Sequence, residues 1–316
     1  MPADQPHDEF SLIDWIDKRS PGDPQVLLGI GDDAALLRVQ PDMARLATMD
    51  TLMQGVHFTI PPASPRQVGH KALAVNLSDI AAMAGRPRAA LVSLVLPREN
   101  GIPLAQEVHT GIQSLATAHD VVIAGGDTNT WNGPLVVSLT VLGEVDAHRV
   151  VRRDGARAGD WIMVTGALGG SGSGKHLAFQ PRVPEALILN EQVSLHAMID
   201  ISDGLAADLH HVLRHSGVGA VVDVTSIPIS RAAVECGDGQ TPLEHALCDG
   251  EDFELLFTLS PADGRKLLEQ PPFATRLSKI GEITAAAGCH LRTAEGRLEA
   301  LPPRGWQHGF HSGPAI

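Results

Sequence analysis

The sequence predicts a protein of mixed α and β structure, α/β or α+β, folded into two domains. The first observation is the length, since 316 residues exceed what one compact core usually holds. The second is the composition: hydrophobic residues make up 43% of the chain and aromatic residues only 3%, without any Tyr, so Ala, Val, Leu and Ile must fill the interior. The third is the alternation of short apolar runs with longer stretches of helical periodicity.

In the first half of the chain, the apolar runs have strand length and lie between stretches with a helical pattern. The stretch 68–84 is rich in alanine and has an apolar face, and 104–119 repeats apolar residues at helical spacing. A shorter helix is predicted at 10–19, before a break rich in Pro and Gly. The predicted strands are 27–30, 45–49, 89–96, 121–124 and 135–141.

A connection between two domains is predicted at 150–160, which is basic, contains glycine and is only weakly apolar. The predicted domains are therefore 1–149 and 150–316. In the second domain we expect strands at 161–165, 220–224 and 253–259, and a helix at 205–215. Ser202 or Asp203 is the expected cap at the start of this helix, and Gly217 follows its end.

Charge and cysteine content exclude several classes of function. The formal net charge is −13, which argues against a broad surface that neutralises nucleic-acid phosphates. Cys236, Cys248 and Cys289 show no CxxC spacing, so the sequence indicates neither a disulfide framework nor a structural zinc site. The amino terminus is acidic and the longest apolar runs are too short to span a bilayer, so we expect a soluble, cytoplasmic protein.

Carboxylates repeatedly end an apolar run or open the turn beyond it. A single Asp beside Gly is most often a turn former, and Asp203 alone could be a helix cap. Asp79 is different, because it stands in an alanine-rich helical stretch where an Asp has poor propensity. If the acids converge on one crevice they need a cation between them, and oxygen ligands favour Mg²⁺, Mn²⁺ or Ca²⁺ over Zn²⁺. The acids stand at 32–33, 50, 79, 127, 200, 203, 249 and 251–252.

A glycine-rich stretch at 169–175 fits the GxxxxGK part of a phosphate-binding P-loop. His176 stands where a P-loop has Ser or Thr, so we interpret the stretch as a flexible loop near a moving joint. Among the histidines, His57 is a candidate site residue because it follows the Asp50 turn directly, although a packing role fits it equally well.

Taken in order, these motifs resemble bacterial thiamine-monophosphate kinase, of the superfamily that includes aminoimidazole ribonucleotide synthetase. The resemblance covers nearly the whole chain. It rests on Phe-Ser-Leu-Ile at 10–13, Gly-Ile-Gly-Asp-Asp at 29–33, Asp-Thr-Leu at 50–52, Gly-Val-His-Phe at 55–58, Lys-Ala-Leu-Ala-Val-Asn-Leu-Ser-Asp at 71–79, Gly-Gly-Asp-Thr at 125–128, Asp-Ile-Ser-Asp-Gly at 200–204 and Gly-Glu-Asp-Phe-Glu at 250–254.

The resemblance implies an ATP-dependent kinase that converts thiamine monophosphate to thiamine diphosphate with several Mg²⁺ ions. It implies a two-domain PurM-like fold, in which the amino-terminal domain contributes to a β-barrel shared in a homodimer and the carboxy-terminal domain is α/β. The matching metal positions are Asp33, Thr48, Met49 (through its backbone), Asp50, Asp79, Asp127, Asp200 and Asp203. The matching ATP positions are Gly126, Asp127, Arg153 and Ser202, and those for the thiamine phosphate are His57, Glu251 and Trp306.

The chain departs from the family pattern in places. Asn129 to Gly133 follow the Gly-Gly-Asp-Thr motif where Thr-Arg-Gly is common, and Trp306 stands where Tyr is frequent. Trp keeps an aromatic face for a cationic thiazolium ring. Two alternatives remain at this point: an ATP-dependent enzyme resembling aminoimidazole ribonucleotide synthetase, and a non-catalytic protein that binds a nucleotide or divalent ions.

Overall fold

The computed structural model describes residues 26–28, 32, 35–40, 42–307 and 309. The helix predicted over 10–19 and the predicted metal ligand Asp33 lie outside these residues. The first sheet contains six strands in the order β1-β2-β3-β6-β4-β5, with two long helices. Its elements are β1 (Val26–Leu28), β2 (Ala35–Gln40), β3 (Met43–Met53), α1 (Pro65–Ala82), β4 (Arg86–Pro97), α2 (Gly101–Ala118), β5 (Val122–Trp131) and β6 (Val136–Asp146).

Both predicted long helices and all five predicted strands of this half are present, and most of them extend beyond the predicted bounds. β2 was not predicted, because Arg38 and Gln40 interrupt its short apolar pattern. Ser64 starts α1 with a capping box: its side chain accepts a hydrogen bond from the amide of Gln67, and the Gln67 side chain accepts one from the amide of Ser64.

The helices α1 and α2 approach each other closely at two glycines. A Cβ atom on Gly69 would lie 1.9 Å from the carbonyl oxygen of Val108, and one on Gly111 would lie 2.0 Å from that of Arg66. Any larger residue at either position would push the helices apart. The glycines therefore fix the distance between the two helices and the place of α1 in the core.

The second sheet has seven strands in the order β13-β12-β9-β11-β7-β10-β8. Strand β11 lies at its centre between β9 and β7, and helices pack around the sheet. Its elements are β7 (Trp161–Thr165), α3 (Val183–Gln192), β8 (Leu195–Asp200), α4 (Leu205–Ser216), β9 (Gly219–Asp223), α5 (Arg231–Glu235), α6 (Pro242–Cys248), β10 (Leu255–Leu259), α7 (Pro261–Glu269), β11 (Leu277–Thr284), β12 (Gly288–Arg292) and β13 (Leu298–Ala300).

Most strand pairs in the two sheets are antiparallel. Only the pairs β4/β5 and β9/β12 are parallel among the described strands. Tight connections such as the turn between β2 and β3 require antiparallel pairing, because a parallel pair needs a long crossover. The predicted acids therefore come from several kinds of element: Asp50 from β3, Asp79 from α1, Asp200 from the end of β8 and Asp203 from the loop before α4.

Helix α1 is the central element, because it contacts α2, β3 and β6 on one side and α3 and β8 on the other. Most of its residues are buried, including the charged Lys71. The cores around it consist mainly of Ala, Val, Leu and Ile, as the composition predicts, with one stacked aromatic pair, Phe179 and Phe253, whose ring centroids are 4.3 Å apart.

The described part of the chain has no helix that combines the length and hydrophobicity needed to cross a membrane. Cys236, Cys248 and Cys289 are free thiols.

Candidate active site

A cavity of about 640 Å³ lies between the two halves of the molecule. Strand β3 and the turn after it form one wall. The loops before α4 and after α6, the glycine-rich loop and the carboxy-terminal segment form the other. The predicted site residues that line it are Met49, Asp50, His57, Ser202, Asp203, Glu251 and Trp306. Residues from distant parts of the sequence thus share one cavity.

Two hydroxyl groups connect further predicted metal ligands through α1. Thr48 donates a hydrogen bond from Oγ1 to Oδ2 of Asp79. Ser78 Oγ donates one to Oδ2 of Asp200, over 2.6 Å. Because Ser78 and Asp79 are consecutive in α1, these bonds bring β3 and the end of β8 to the same helical turn.

The start of α4 carries a group of acids that sequence reasoning did not find in full. Asp208 accepts hydrogen bonds from the amides of Asp203 (3.1 Å) and Gly204 (3.0 Å). It is buried, and this burial, together with the negative charges of Asp203 and Asp200, raises its pKa well above the usual range. The predicted cap was wrong, since Gly204 occupies the cap position and the helix-interior Asp208 binds the free amides. Its place four residues inside the helix gave no capping signal.

These groups fit a hard divalent cation. Thr48, Asp50, Asp79, Asp200 and Asp203 offer only oxygen atoms, the ligand type that Mg²⁺ prefers. The negative charges of Asp200 and Asp203 both raise the pKa of the neighbouring Asp208. A cation among them would relieve that repulsion.

A buried lysine joins the two halves of the cavity. Lys71 of α1 is completely buried, and its Nζ donates hydrogen bonds to the carbonyl oxygen of His57 (2.8 Å) and to Oε1 of Glu251. The Nδ1 atom of His176 lies 2.9 Å from this Nζ and 3.0 Å from Oε2 of Glu251. Lys71 therefore binds to two of the predicted substrate-binding residues at once.

This arrangement changes the pKa of both charged groups. Burial lowers the pKa of Lys71, and the charge of Glu251 opposes this only in part. Burial would raise the pKa of Glu251, but the hydrogen bond with His176 and the charge of Lys71 outweigh it, so the pKa is lowered. Lys71 was not predicted as a site residue, because the sequence does not distinguish a buried lysine in an apolar helix from an exposed one.

The glycine-rich loop is held by buried carboxylates. Lys175, the lysine of the GxxxxGK pattern, lies 3.0 Å from Oε1 of Glu254, and Arg182 forms two further bonds to the same carboxylate. Asp252 accepts hydrogen bonds from the amide of Gly169 and, over 2.5 Å, from Ser171 Oγ. The loop is therefore attached to the strand start at 252–255 and forms two short 3₁₀ turns, with its lysine paired to a carboxylate.

Some predicted ATP-site residues lie away from this cavity wall. Gly126 and Asp127 are exposed on β5, an edge strand of the first sheet. The backbone of Gly126 passes close to β4, since a Cβ atom on Gly126 would lie 1.8 Å from the carbonyl oxygen of Val92. Arg153 lies in the connection between the sheets, with its Nε 3.3 Å from Oδ1 of Asp32. These residues do not line the cavity described above.

Hydrogen bonds with the backbone hold two of the predicted substrate-binding residues, His57 and Trp306. His57 Nδ1 accepts a hydrogen bond from the amide of Met53 over 3.0 Å. The amide of Trp306 donates to the carbonyl oxygen of Asp203 over 2.9 Å, and the Trp306 side chain is half-exposed at the cavity. Trp306 thus presents an aromatic ring next to the loop that carries Ser202 and Asp203.

The chain matches one known family over most of its length. Residues 31–145 match the family model of the AIR synthase related protein, N-terminal domain, and residues 157–293 match that of its C-terminal domain. A thiamine-monophosphate kinase of Rhodopirellula baltica is 41% identical over 310 residues, which cover 95% of this chain and 97% of the relative. A thiamine-monophosphate kinase of Escherichia coli K12 is 34% identical over 326 residues, covering 95% and 98%.

Solved structures agree with these matches. The structure described as AaThiL complexed with AMPPCP and TMP superposes with a TM-score of 0.82 at 31% identity, covering 95% of this chain and 97% of that one. The thiamine-monophosphate kinase from Stenotrophomonas maltophilia K279a superposes with a TM-score of 0.73 at 36% identity, covering 92% and 98%.

Proposed function

The chain belongs to the AIR synthase related family and, within it, to the thiamine-monophosphate kinases, and we propose that it phosphorylates thiamine monophosphate with ATP by a direct, magnesium-dependent, in-line transfer. The product is thiamine diphosphate, and the enzyme is a phosphotransferase with a phosphate group as acceptor. The observation that carries the proposal is the cavity in which Asp50, Asp203, Glu251 and Trp306 meet. A relative in complex with AMPPCP and TMP supports the two substrates.

We assign the magnesium sites to oxygen groups on β3, α1, β5, the end of β8 and the loop before α4, together with Asp33. When bound, Mg²⁺ neutralises phosphate charge and orients the two substrates. The chain's own part is to hold the carboxylates in place: Thr48 positions Asp79, and Ser78 positions Asp200. The proposed ligands are Asp33, Thr48, Met49 through its backbone, Asp50, Asp79, Asp127, Asp200 and Asp203.

The transfer needs no general base from the protein. The acceptor is a phosphate monoester, whose second pKa is about 6, so it is largely a dianion at neutral pH and already nucleophilic. The chemical task is to bring two anions together in a protein whose net charge is −13. Positioning and charge neutralisation therefore carry the catalysis, without a phosphoenzyme.

We propose that Gly126, Asp127, Arg153 and Ser202 contact ATP and that His57, Glu251 and Trp306 contact thiamine monophosphate. The half-exposed Trp306 ring at the cavity favours a flat cationic group such as the thiazolium ring. The position of Lys71 supports this assignment of His57 and Glu251, because its ammonium group binds the backbone of His57 on one wall of the cavity and the carboxylate of Glu251 on the other.

We also propose a homodimer with domains 1–149 and 150–316. Strand β5 is an edge strand whose residues are nearly all exposed, which is the kind of edge that a second copy could cover. The first sheet ends at Asp146 and the second begins at Trp161, which supports a domain boundary between them. The proposed location is the cytoplasm, because the reaction consumes ATP.

The test is an assay for thiamine diphosphate formed from ATP and thiamine monophosphate, with Mg²⁺ present or chelated. We expect product only with Mg²⁺. Asp79→Asn should lower turnover by at least about 100-fold, the effect of losing one preorganised electrostatic group. The matched control is Asp120→Asn, an exposed acid after α2 with a positive φ that Asn also adopts, which should leave turnover unchanged.

Three results would contradict the proposal. Near-normal activity of Asp79→Asn would remove the magnesium assignment. Turnover of an aminoimidazole ribonucleotide precursor in place of thiamine monophosphate would indicate the related synthetase. ATP binding without any ADP release would indicate a non-catalytic protein.

A further inference from the structure

We propose that Cys236, Asp238 and His245 form a binding site for a zinc-type transition metal ion at the cavity, separate from the carboxylate group described above. One ligand atom of each residue, the Cys236 sulfur, an Asp238 carboxylate oxygen and a His245 ring nitrogen, lies within 4.8 Å of the other two. All three residues line the cavity. None of them belongs to the proposed magnesium, ATP or thiamine-phosphate contacts.

His245 provides the independent observation. Its side chain is almost completely buried, and its Nε2 atom has no hydrogen-bond partner. Oδ1 of Asp238, itself one of the three proposed ligands, lies 3.3 Å from this nitrogen, within ion-pair distance but without hydrogen-bond geometry. A buried polar atom left without a partner is costly, and it is found where an ion or ligand belongs.

The other ring nitrogen of His245 is fixed by a carboxylate. Nδ1 lies 2.9 Å from Oδ2 of Asp249, and this same oxygen accepts a hydrogen bond from the amide of Gly170 over 2.8 Å. When Nδ1 donates its proton to Asp249, Nε2 carries the free electron pair that binds a metal. A carboxylate that orients a histidine in this way is the usual support of a metal-bound histidine.

Close backbone packing fixes the segments that carry His245 and Asp249. Gly169 and Gly170 pass against α6 and α5, since a Cβ on Gly169 would lie 2.6 Å from the amide nitrogen of Ala246 and one on Gly170 2.5 Å from that of Ala233. The capping box of Thr241 and Glu244 fixes the start of α6, which carries His245. Cys236 ends α5, so both helices point a ligand at the same place.

The donor set selects the metal. One sulfur, one nitrogen and one oxygen suit Zn²⁺, whereas Mg²⁺ binds oxygen almost alone. Bonds of about 2.0–2.3 Å in a tetrahedral site separate the ligand atoms by about 3.5 Å, which small side-chain rotations would reach from the observed spacing. Three protein ligands leave the fourth position open towards the cavity. The sequence did not indicate this site, because the spacing Cys-x-Asp-x₆-His matches no common zinc pattern.

The test uses Co²⁺ as a spectroscopic probe for Zn²⁺, with the full-length protein and Mg²⁺ in large excess so that oxygen-only sites are occupied. Titration should give an absorption band of thiolate-to-cobalt charge transfer that saturates at one Co²⁺ per chain and disappears when Zn²⁺ is added. Cys236→Ser should abolish this band. Cys248→Ser is the matched control, a partly exposed cysteine outside the cluster, and should leave the band unchanged.

Asp249→Asn should weaken Co²⁺ binding by about 10- to 100-fold while the band remains, because Asp249 acts only through His245. Circular dichroism checks that each variant is folded. Cys236→Ser replaces only the sulfur by oxygen at the end of a helix, so it should preserve the fold. Absence of the band in the unmodified protein would overturn the proposal, and would indicate a protonated His245 paired with Asp238 and Asp249. Persistence of the band in Cys236→Ser, or its loss in Cys248→Ser, would overturn it equally.

Discussion

Replacement of Lys71 by Met is the sharpest test of how the two halves of the cavity are connected. The change removes a completely buried ammonium group and keeps a side chain of similar length. It leaves Glu251 without its cation and the carbonyl oxygen of His57 without its donor. We expect Glu251 to lose its position, and binding of thiamine monophosphate to weaken.

The size of the effect follows from the exposure of the two partners. Removing one partner of a fully buried ion pair costs about 3–5 kcal/mol, whereas exposed pairs contribute about 0.2–1 kcal/mol. The Lys71 side chain is 0% exposed and the Glu251 side chain 34%, so Glu251 is partly hydrated after the change. We therefore expect a coupling energy of about 1.5–3 kcal/mol, the range for hydrogen bonds to charged groups.

The assay is a double-mutant cycle of Lys71→Met and Glu251→Gln, measured by urea unfolding. The matched control is Arg66→Met with Glu107→Gln, an ion pair between α1 and α2 whose side chains are 62% and 46% exposed. Its coupling should be clearly smaller than that of Lys71 and Glu251, because water screens exposed charges. In kinetic assays Lys71→Met should raise the KM for thiamine monophosphate about 10-fold or more, and Arg66→Met should not. Equal coupling in the two pairs with an unchanged KM would refute the reasoning.

Further predictions concern the substrate face and the glycine-rich loop. Trp306→Ala should raise the KM for thiamine monophosphate with little change in kcat, and an unchanged KM would remove Trp306 from the site. Burial raises the pKa of Asp252 to about 6, against the effects of Lys175 and Ser171, so NMR should show its carboxyl titrating near pH 6. The folded state holds this proton more tightly than the unfolded state, so the contribution of Asp252 to the free energy of unfolding falls by about 3 kcal/mol as the pH rises from about 4 to about 6. Titration of this carboxyl near pH 4 would contradict the prediction. Glu254→Gln should lower the free energy of unfolding by about 3–5 kcal/mol, since it leaves Lys175 and Arg182 without their buried carboxylate. The control is Glu235→Gln in the exposed pair with Arg231, which should cost under about 1 kcal/mol. Equal losses in the two variants would contradict the assignment.

The sequence predicted most elements of the fold because their signals are local. Strand β7 was predicted at its observed bounds, and α4 ends at Gly217 in the left-handed conformation that such a glycine predicts. The sheet pairing was not predictable in the same way, because apolar runs do not record which neighbour they pair with or in which direction. The mostly antiparallel arrangement depends on connections throughout the chain.

In the candidate site, too, some residues could be predicted from local sequence and others only from the fold. Asp50, Asp79 and Asp203 were found from the sequence, because an acid that ends an apolar run or interrupts a helical stretch has no apolar role. Lys71 and Glu251 are 180 residues apart, and nothing near either one indicates the other. The group of Cys236, Asp238 and His245 likewise has no recognisable spacing.

The sequence by itself determined the chemistry available to this protein: oxygen ligands for a divalent cation and an aromatic group near the carboxy terminus. The tertiary structure decided which of these groups meet, which cation is buried against which carboxylate, and which buried histidine nitrogen has no hydrogen-bond partner. The physical reason is that residue type is a local property, whereas burial, charge coupling and hydrogen-bond pairing exist only between segments that the completed fold brings into contact.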